Sequence, residues 1–404
     1  MGYLLGIVGK PNVGKSTYFS AATLAHAQIA NYPFTTIKPN KGIGHARIDC
    51  VCKEFEIKDQ AANSICIDGI RLIPVEIIDC AGLVPGAWKG KGLGNQFLDE
   101  IRAADVLIHI VDASGSTDIE GKICEPGDHD PIEDIRFLEN EIEMWLFRII
   151  KKNWDKISRT SEGDEKNLVS ELANLLSGLS IKKNSIIEAL SKVKIDRNRP
   201  KSWTDDDLLE VVRILRKISK PILIVANKMD APKAGDNYKR LLSAGYEIIP
   251  CCAEAELALR RAAKKEFIKY VPGDVDFKLI NPGMLSEDQR KALMKIKYDI
   301  LEKLGSTGVQ KSLNFAFFGY LKMLAIYPVV HIDKLADHKG RILPDVYLVK
   351  DGTTVKEFAH SIHSELGKGF IYALDARKKI RLSEDYILKN NDVISIVSAG
   401  GRGA

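Results

Sequence analysis

The sequence predicts an α/β protein built on a mainly parallel sheet, interrupted by a helical insertion and followed by a small mixed β/α domain. Three observations carry this reading. Short β-branched and apolar runs recur at residues 3–8, 72–79, 106–112, 221–227 and 247–253, with helical patterns between most of them, as buried parallel strands require. Between the runs at 106–112 and 221–227 the pattern changes. Residues 118–217 show only charged amphipathic stretches such as "IEDIRFLENEIEMWLFRIIKKNW" and "DEKNLVSELANLLSGL". A structureless connection of that length does not suit a compact domain, so a helical hairpin or bundle is expected. From about residue 337 the texture shifts again, to short alternating pieces such as "VYLVKDGTTVKEFAHSIHSELG" and "DVISIVSAGG" separated by turn residues. These read as a small domain with its own core.

Composition bounds the function. A chain of 404 residues holds roughly two to four domains. With 45% hydrophobic and 28% charged residues it has the apolar content of packed cores, which excludes disorder as its default state. No apolar run approaches the ~18–20 residues of a membrane span, and the start reads directly into a strand without a leader pattern, so a cytoplasmic location with no membrane partner is expected. The net charge of +5 permits an RNA partner without requiring one. Cysteines 50, 52, 66, 80, 124, 251 and 252 lie mostly in or beside apolar runs, and no CxxC pair is followed by a second pair or by spaced histidines. They are expected to be buried thiols and not metal ligands.

The stretch "GIVGKPNVGKST", residues 6–17, ends an apolar strand pattern and opens the helical pattern "TYFSAATLAHA". In that setting Gly9-x4-Gly14-Lys15-Ser16 is a phosphate loop: glycines let the backbone curl so that N–H groups and the helix dipole face phosphate oxygens. Asn12, Val13, Gly14, Lys15, Ser16 and Thr17 are the expected phosphate-binding residues. Lys15 supplies charge to the terminal phosphates, and Ser16 a hydroxyl to Mg2+. A nucleoside triphosphate is the expected ligand.

The base is read further along. The strand pattern "PILIVA" delivers Asn227-Lys228-Met229-Asp230 at its C-terminal end, where open α/β sheets bind ligands. A carboxylate only accepts hydrogen bonds, so Asp230 pairs with the two donors on guanine's N1 and N2 edge and repels the N1 acceptor of adenine. The aliphatic stem of Lys228 suits the base face, and Asn227 is placed to tie this loop to the phosphate loop. "DCAGL", residues 79–83, ends another strand pattern, which puts the Asp79 carboxylate near Mg2+ and the Gly82 N–H near the γ-phosphate. Thr36, chosen over Thr35 in "NYPFTTIKPN", is the expected second hydroxyl on Mg2+. The metal ligands are thus Ser16, Thr36 and Asp79, and the catalytic set Lys15, Thr36 and Gly82. Both segments would be ordered by the γ-phosphate and released on its loss, and Gly86, Gly90, Gly92 and Gly94 permit such motion.

With these motifs in this order the chain resembles a P-loop NTPase of the TRAFAC GTPase class. "NYPFTTIKPN" and "DCAGLVPGAWKGKGLGNQFLDEIRAADVLIHIVDAS" resemble the Obg superfamily, and the long insertion before "NKMD" is similar to its YchF-type (Obg-like) archaeal subfamily. "LPDVYLVKDGTTVKEFAHSIHSELGKGF" resembles a TGS domain, a β-grasp module of translation-associated GTPases. The resemblance implies a GTPase domain at 1–117 and 218–270, the helical insertion at 118–217, a helical connecting segment at 271–336 and a TGS domain at 337–404. It places the Ala253 backbone N–H opposite the guanine oxygen, in "PCCAE" at 250–254. Cys252 stands where the family usually has serine or threonine, which is expected to lose a side-chain hydrogen bond. Bacterial and eukaryotic YchF-type members tend to carry Glu in place of Asp230 and accept ATP; Asp here favours GTP.

The same resemblance implies slow intrinsic hydrolysis. Leu83 replaces the glutamine with which many GTPases orient water. Potassium is a second candidate ion, because Asn12 matches an asparagine that contacts a monovalent cation in related GTPases; a plain turn residue is the alternative. His129 is left out of the site because its spacing does not match the bacterial histidine, and His109, inside an apolar strand, is expected to be structural. The basic stretch "DARKKIR" at 375–381, with Lys350, Lys356 and Lys368, suits either RNA phosphates or an ordinary surface hairpin. The resemblance favours RNA or ribosome association, and no DNA partner is expected. The expected function is a GTP-binding and GTP-hydrolysing switch tied to translation, with GTP and GDP as ligands. A metabolic or stress-response enzyme hydrolysing ATP or GTP, and a nucleotide-stabilised scaffold with little hydrolysis, are the alternatives.

Overall fold

Seven strands form the sheet that carries the phosphate loop in this computed structural model, which describes residues 3–24, 41–82, 86, 88, 100–399 and 401–403. They are β1 (Leu4–Val8), β2 (Lys41–Asp49), β3 (Ile65–Ile67), β4 (Ile70–Asp79), β5 (Val106–Asp112), β6 (Ile222–Asn227) and β7 (Ile248–Pro250), ordered β2-β4-β1-β5-β6-β7 with β3 beside β4. β4, β1, β5, β6 and β7 run parallel; β2 and β3 are antiparallel to β4. β5 is buried along its whole length, which is why "VLIHIVD" reads as one apolar run and does not alternate. The register pairs Val8 with His109 and Asp112 with Asn227. The C-terminal ends of β1, β5 and β6 therefore lie side by side, around the point where chain order reverses at β1 and ligands bind in such sheets.

Helix α1 (Lys15–Thr23) follows the phosphate loop. The insertion contains α2 (Pro131–Thr160), α3 (Glu165–Leu176), α4 (Lys183–Lys192) and α5 (Asp205–Ser219), with no strand between residues 118 and 217. Local sequence starts these helices: Asp130 caps α2 ahead of Pro131, and Thr204 and Asp207 form a capping box on α5. Leu138, Ile142, Leu146 and Ile150 of α2 pack with Leu168, Leu172, Leu208 and Leu215, and the same cluster takes in Leu4, Val8 and Leu107 of the sheet. The insertion thus extends the sheet's core on one face. Helices α6 (Ala234–Ser243) and α7 (Ala253–Lys264) flank β7.

The hairpin β8 (Ile268–Lys269) and β9 (Lys278–Leu279) leads to a second sheet: β10 (Met323–Pro328), β11 (Tyr347–Lys350), β12 (Phe370–Asp375), β13 (Arg381–Leu382), β14 (Val393–Ser398) and β15 (Gly401–Gly403). Its order is β11-β10-β14-β12-β13, with β15 beside β14 and β10 parallel to β14. The helix Val355–Ile362 lays Val355 and Phe358 on Val349, Ile394 and Ile396. β10 lies inside the stretch read from sequence as helical and connecting. The helical part ends at Tyr320, Lys322 takes a left-handed φ of 49°, and "MLAIYP" turns into the sheet. A six-residue apolar run directly after a helical pattern does not reveal that change of period. Phe317, Tyr327, Leu343 and Val393 share a core with Leu5, Ile7, Ile77 and Ile110 on the other face of the first sheet. Among the described residues no helix is long and apolar enough to cross a membrane.

Candidate nucleotide site

The loop between β1 and α1 is shaped by its two glycines. Gly9 has φ 147°, and a Cβ there would fall 2.5 Å from the Ile110 carbonyl oxygen. Gly14, at the N-cap of α1, has φ 96°, and a Cβ would fall 2.3 Å from Asn227 Nδ2. No L side chain fits either position without a clash, so glycine at both is what permits the tight curl that a phosphate loop needs. Val13 is buried and its carbonyl accepts from Asn227 Nδ2 at 2.9 Å. Asn12, at φ 63°, donates from Nδ2 to the Gly121 carbonyl at 2.9 Å. That bond ties the phosphate loop to the segment after β5. Ser16 and Thr17 open α1 beside Lys15.

Lys15, Ser16, Asp79 and Gly82 come together as expected from their strand ends. Lys15 Nζ donates to the Lys10 carbonyl at 2.8 Å, and a Cβ on Gly82 would lie 3.5 Å from that ammonium. Burial holds the Lys15 pKa below its ordinary value, opposed by Asp79. Ser16 Oγ donates to Asp79 Oδ2 at 3.3 Å. Burial pushes the Asp79 carboxyl up, against the pull of Lys15 and Ser16. Among the described residues Asp79 Oδ1 is buried with no hydrogen-bond partner. An oxygen donor set with one orphaned carboxylate oxygen fits a hard divalent cation such as Mg2+. Thr36, Leu83, Gly90, Gly92 and Gly94 lie outside the described residues.

At the end of β6, Asn227 bridges two elements: Nδ2 holds Val13, and Oδ1 accepts from the Ala253 N–H at 3.0 Å. The N–H expected to face a guanine oxygen is thus engaged by Asn227. Lys228 takes φ 62° and its Nζ sits 2.8 Å from Asp112 Oδ2. Burial would raise the Asp112 carboxyl, but bonds from Lys228 and Ser114 outweigh it and hold it low. Asp230 is exposed at the mouth. Cys252 Sγ donates to its Oδ1 at 3.2 Å. This corrects the expectation that cysteine at 252 forfeits the side-chain bond. Burial, then Asp230, pushes the Cys252 thiol up to about 12, so it stays protonated and able to donate.

Sequence reading missed several residues of this site. Asp112 could have been suspected, as an acid ending the strand "VLIHIVD". Lys10 is buried inside the phosphate loop, donating to the Thr117 carbonyl at 2.7 Å and to Asp134 Oδ1 of α2 at 2.9 Å. His129 Nε2 lies 2.8 Å from the same Asp134 oxygen. Glu141 of α2 accepts from the backbone N–H groups of Gly86 and Trp88, both at 2.9 Å. His109 is buried, and burial holds its imidazole down to about 4. The basic cluster of the C-terminal unit is partly paired: Arg377 grips Glu54 through two bonds of 2.6 and 2.7 Å, and Lys379 pairs with Asp333 at 2.6 Å. Lys350 lies over the Tyr3 ring and Lys356 pairs with Glu384. Lys368 and Lys378 remain exposed.

Comparison with known proteins follows the same outline. The model of a 50S ribosome-binding GTPase matches residues 4–146, that of an Obg-like GTPase YGR210-like, G4 motif-containing domain matches 225–331, and a TGS domain matches 339–398. A GTP-binding protein of Methanocaldococcus jannaschii is 51% identical over 98% of this chain and 99% of its own length. The ribosome-binding ATPase YchF of Bacillus subtilis is 29% identical over 98% of each chain. A GTP-binding protein from Pyrococcus horikoshii has a solved structure with TM-score 0.76 and 39% identity, covering 99% of this chain and 100% of that one. Phosphate loop, Asp79 strand end, Asn227–Asp230 loop and terminal β-grasp sheet all fall within these matches, and the chain belongs to the Obg-like (YchF) family of P-loop GTP-binding proteins with a C-terminal TGS domain.

Proposed function

We propose that this protein is a GTP-hydrolysing switch that acts in the cytoplasm on the ribosome or another part of the translation machinery. The observation that carries the choice of base is Asp230, an exposed carboxylate held by the Cys252 thiol beside a Lys228 pinned to Asp112. Such a group accepts the N1 and N2 hydrogens of guanine and meets an acceptor on adenine. A competition titration with GTP and ATP tests this: Asp230→Asn should lose most of the preference for GTP, and an unchanged preference refutes the assignment. Asn227 ties this loop to the phosphate loop, the role expected of it, whereas Ala253 would reach guanine only by sharing the N–H it now gives to Asn227.

Ser16 and Asp79, with Thr36, would hold Mg2+, which neutralises phosphate charge when bound. Lys15 would leave the Lys10 carbonyl for the β- and γ-phosphate oxygens, and the Gly82 N–H would face the γ-phosphate. With Leu83 in place of a glutamine, no side chain at that position orients water, so turnover should be slow until a partner acts. Asn12 already serves Gly121, which favours its structural reading over potassium contact. Single-turnover hydrolysis in potassium against sodium decides it, and equal rates remove potassium from the account. The TGS match and the kinship with the ribosome-binding ATPase YchF of Bacillus subtilis support the ribosome as partner. Ribosome co-sedimentation should differ between GTP-analogue and GDP states; indifference to nucleotide counts against the switch.

A further inference from the structure

The connection from β2 to β4 contains chemistry that nucleotide binding does not use. Cys50 and Cys52 follow β2, Asp59 lies in the loop and Cys66 is on β3. The three sulfurs and one Asp59 oxygen all lie within 4.8 Å of one another. Cys52 Sγ is 3.9 Å from Cys66 Sγ, and Cys50 Sγ is 3.7 Å from Asp59 Oδ2. Four ligands placed tetrahedrally at ~2.3 Å from one ion stand about 3.8 Å apart, close to these two separations. A disulfide needs its sulfurs at about 2.05 Å. The cysteines are free thiols, and their sulfurs stand at a separation that suits ligands of a single ion.

Local folding builds the cluster. The turn after β2 closes through Lys53 N–H to the Cys50 carbonyl and Ile57 N–H to the Cys52 carbonyl, both within 3.2 Å. The β3–β4 pairing then sets Cys66 opposite Arg71. That C-x-C pair and a third cysteine 14 residues on carry no CxxC signature, which is why the sequence reading took them as plain buried thiols. Arg71 is fully buried and its Nη2 lies 3.1 Å from Asp59 Oδ2.

The geometry points to a structural zinc site formed by Cys50, Cys52, Cys66 and Asp59. Three soft thiolates select against Mg2+ and Ca2+, and four protein ligands leave no open position for catalysis. Four anionic ligands around a dication leave surplus negative charge, which Arg71 offsets while orienting the carboxylate from outside. The same Arg71 donates to the Leu343 carbonyl at 2.7 Å and stands 5.5 Å from the centre of the Tyr327 ring. Within the same loop, Ala62 N–H donates to the Pro344 carbonyl at 2.7 Å, and Asn63 exchanges two bonds with the Val346 backbone. The ion thus fixes the loop on which the TGS-containing half of the molecule rests.

Full-length protein, purified with reductant and without chelator and dialysed against metal-free buffer, is the material for the test. Elemental analysis should find about one zinc per chain, and the Cys52→Ser, Cys66→Ser double variant should fall to less than a tenth of that while still binding fluorescent GTP. Should the double variant fail to fold, cobalt(II) loading of the unmodified chain decides: intense thiolate-to-cobalt charge-transfer bands that zinc discharges support the site. Zinc-free protein that gives no cobalt bands overturns the proposal. So does zinc retained equally by a folded double variant, or a Cys52–Cys66 disulfide in metal-free protein.

Discussion

The bond from Cys252 to Asp230 shows how one atom can retune a recognition loop. A thiol is a weaker donor than a hydroxyl, so Cys252→Ser should hold Asp230 at least as firmly and keep GTP affinity. Cys252→Ala removes the donor, and a lost hydrogen bond of about 0.5–1.5 kcal/mol corresponds to a roughly 2- to 12-fold weaker GTP affinity. Calorimetric titration of the two variants checks the order; equal affinity in both would show that the thiol does not position the carboxylate. His109 sets a pH dependence. Burial holds its pKa down to about 4 against 6.5 for an ordinary histidine. The unfolded chain therefore binds a proton that the folded chain refuses between those values, and stability falls as pH drops from 6.5 towards 4. From pH 7 to pH 5 the loss from this residue is about 2 kcal/mol. Urea unfolding of the parent and of His109→Gln at both pH values isolates it: the variant should lose less stability over the interval by about that amount.

At the scale of elements, the phosphate loop and the insertion are joined by a buried ion pair, Lys10 to Asp134, with both side chains nearly inaccessible. Removing one partner strands the other, so Asp134→Leu and Lys10→Met should each destabilise by about 3–5 kcal/mol. Lys10→Met with Asp134→Leu should recover a large part of that loss, because an apolar pair of similar volume replaces two desolvated charges. The backbone carbonyl of Lys10, which holds Lys15, survives the change. Urea unfolding of the double-mutant cycle measures both; additive effects would mean the pair does not couple the elements. The pair was not legible in the sequence, since its members lie 124 residues apart, Lys10 fills an unspecified position of the phosphate-loop motif and Asp134 belongs to no motif. The phosphate loop and the Asn227–Asp230 loop were legible for the opposite reason: a strand, a few residues and a turn fix each of them locally. Asp112 with Lys228, and the three cysteines with Asp59, become neighbours only through strand register. The insertion could be read as helical from period and caps, but its union with the sheet's core could not, because an apolar stripe does not say what it covers.

Across the whole molecule, the question is what holds the C-terminal half against the nucleotide-binding sheet. Two contacts invite comparison. Arg377 and Glu54 form a two-pronged ion pair, yet Glu54 is half exposed and water screens the attraction. Such a pair contributes about 0–1 kcal/mol. Asn63 looks humbler but exchanges two neutral bonds of 2.9 and 3.0 Å with the Val346 backbone, in a partly buried place where unpaired groups are poorly hydrated. Its removal leaves a backbone N–H and a carbonyl to be satisfied, at about 1–3 kcal/mol. Asn63→Ala should therefore destabilise more than Arg377→Ala, and only the arginine variant's deficit should shrink in high salt. Because Leu343 and Val393 share one core with Leu5 and Ile77, neither change should divide the molecule. Urea unfolding followed by fluorescence and by circular dichroism should give coincident transitions for both variants. Two separated transitions in Asn63→Ala would mean that the polar seam, and not the shared core, makes the halves cooperative.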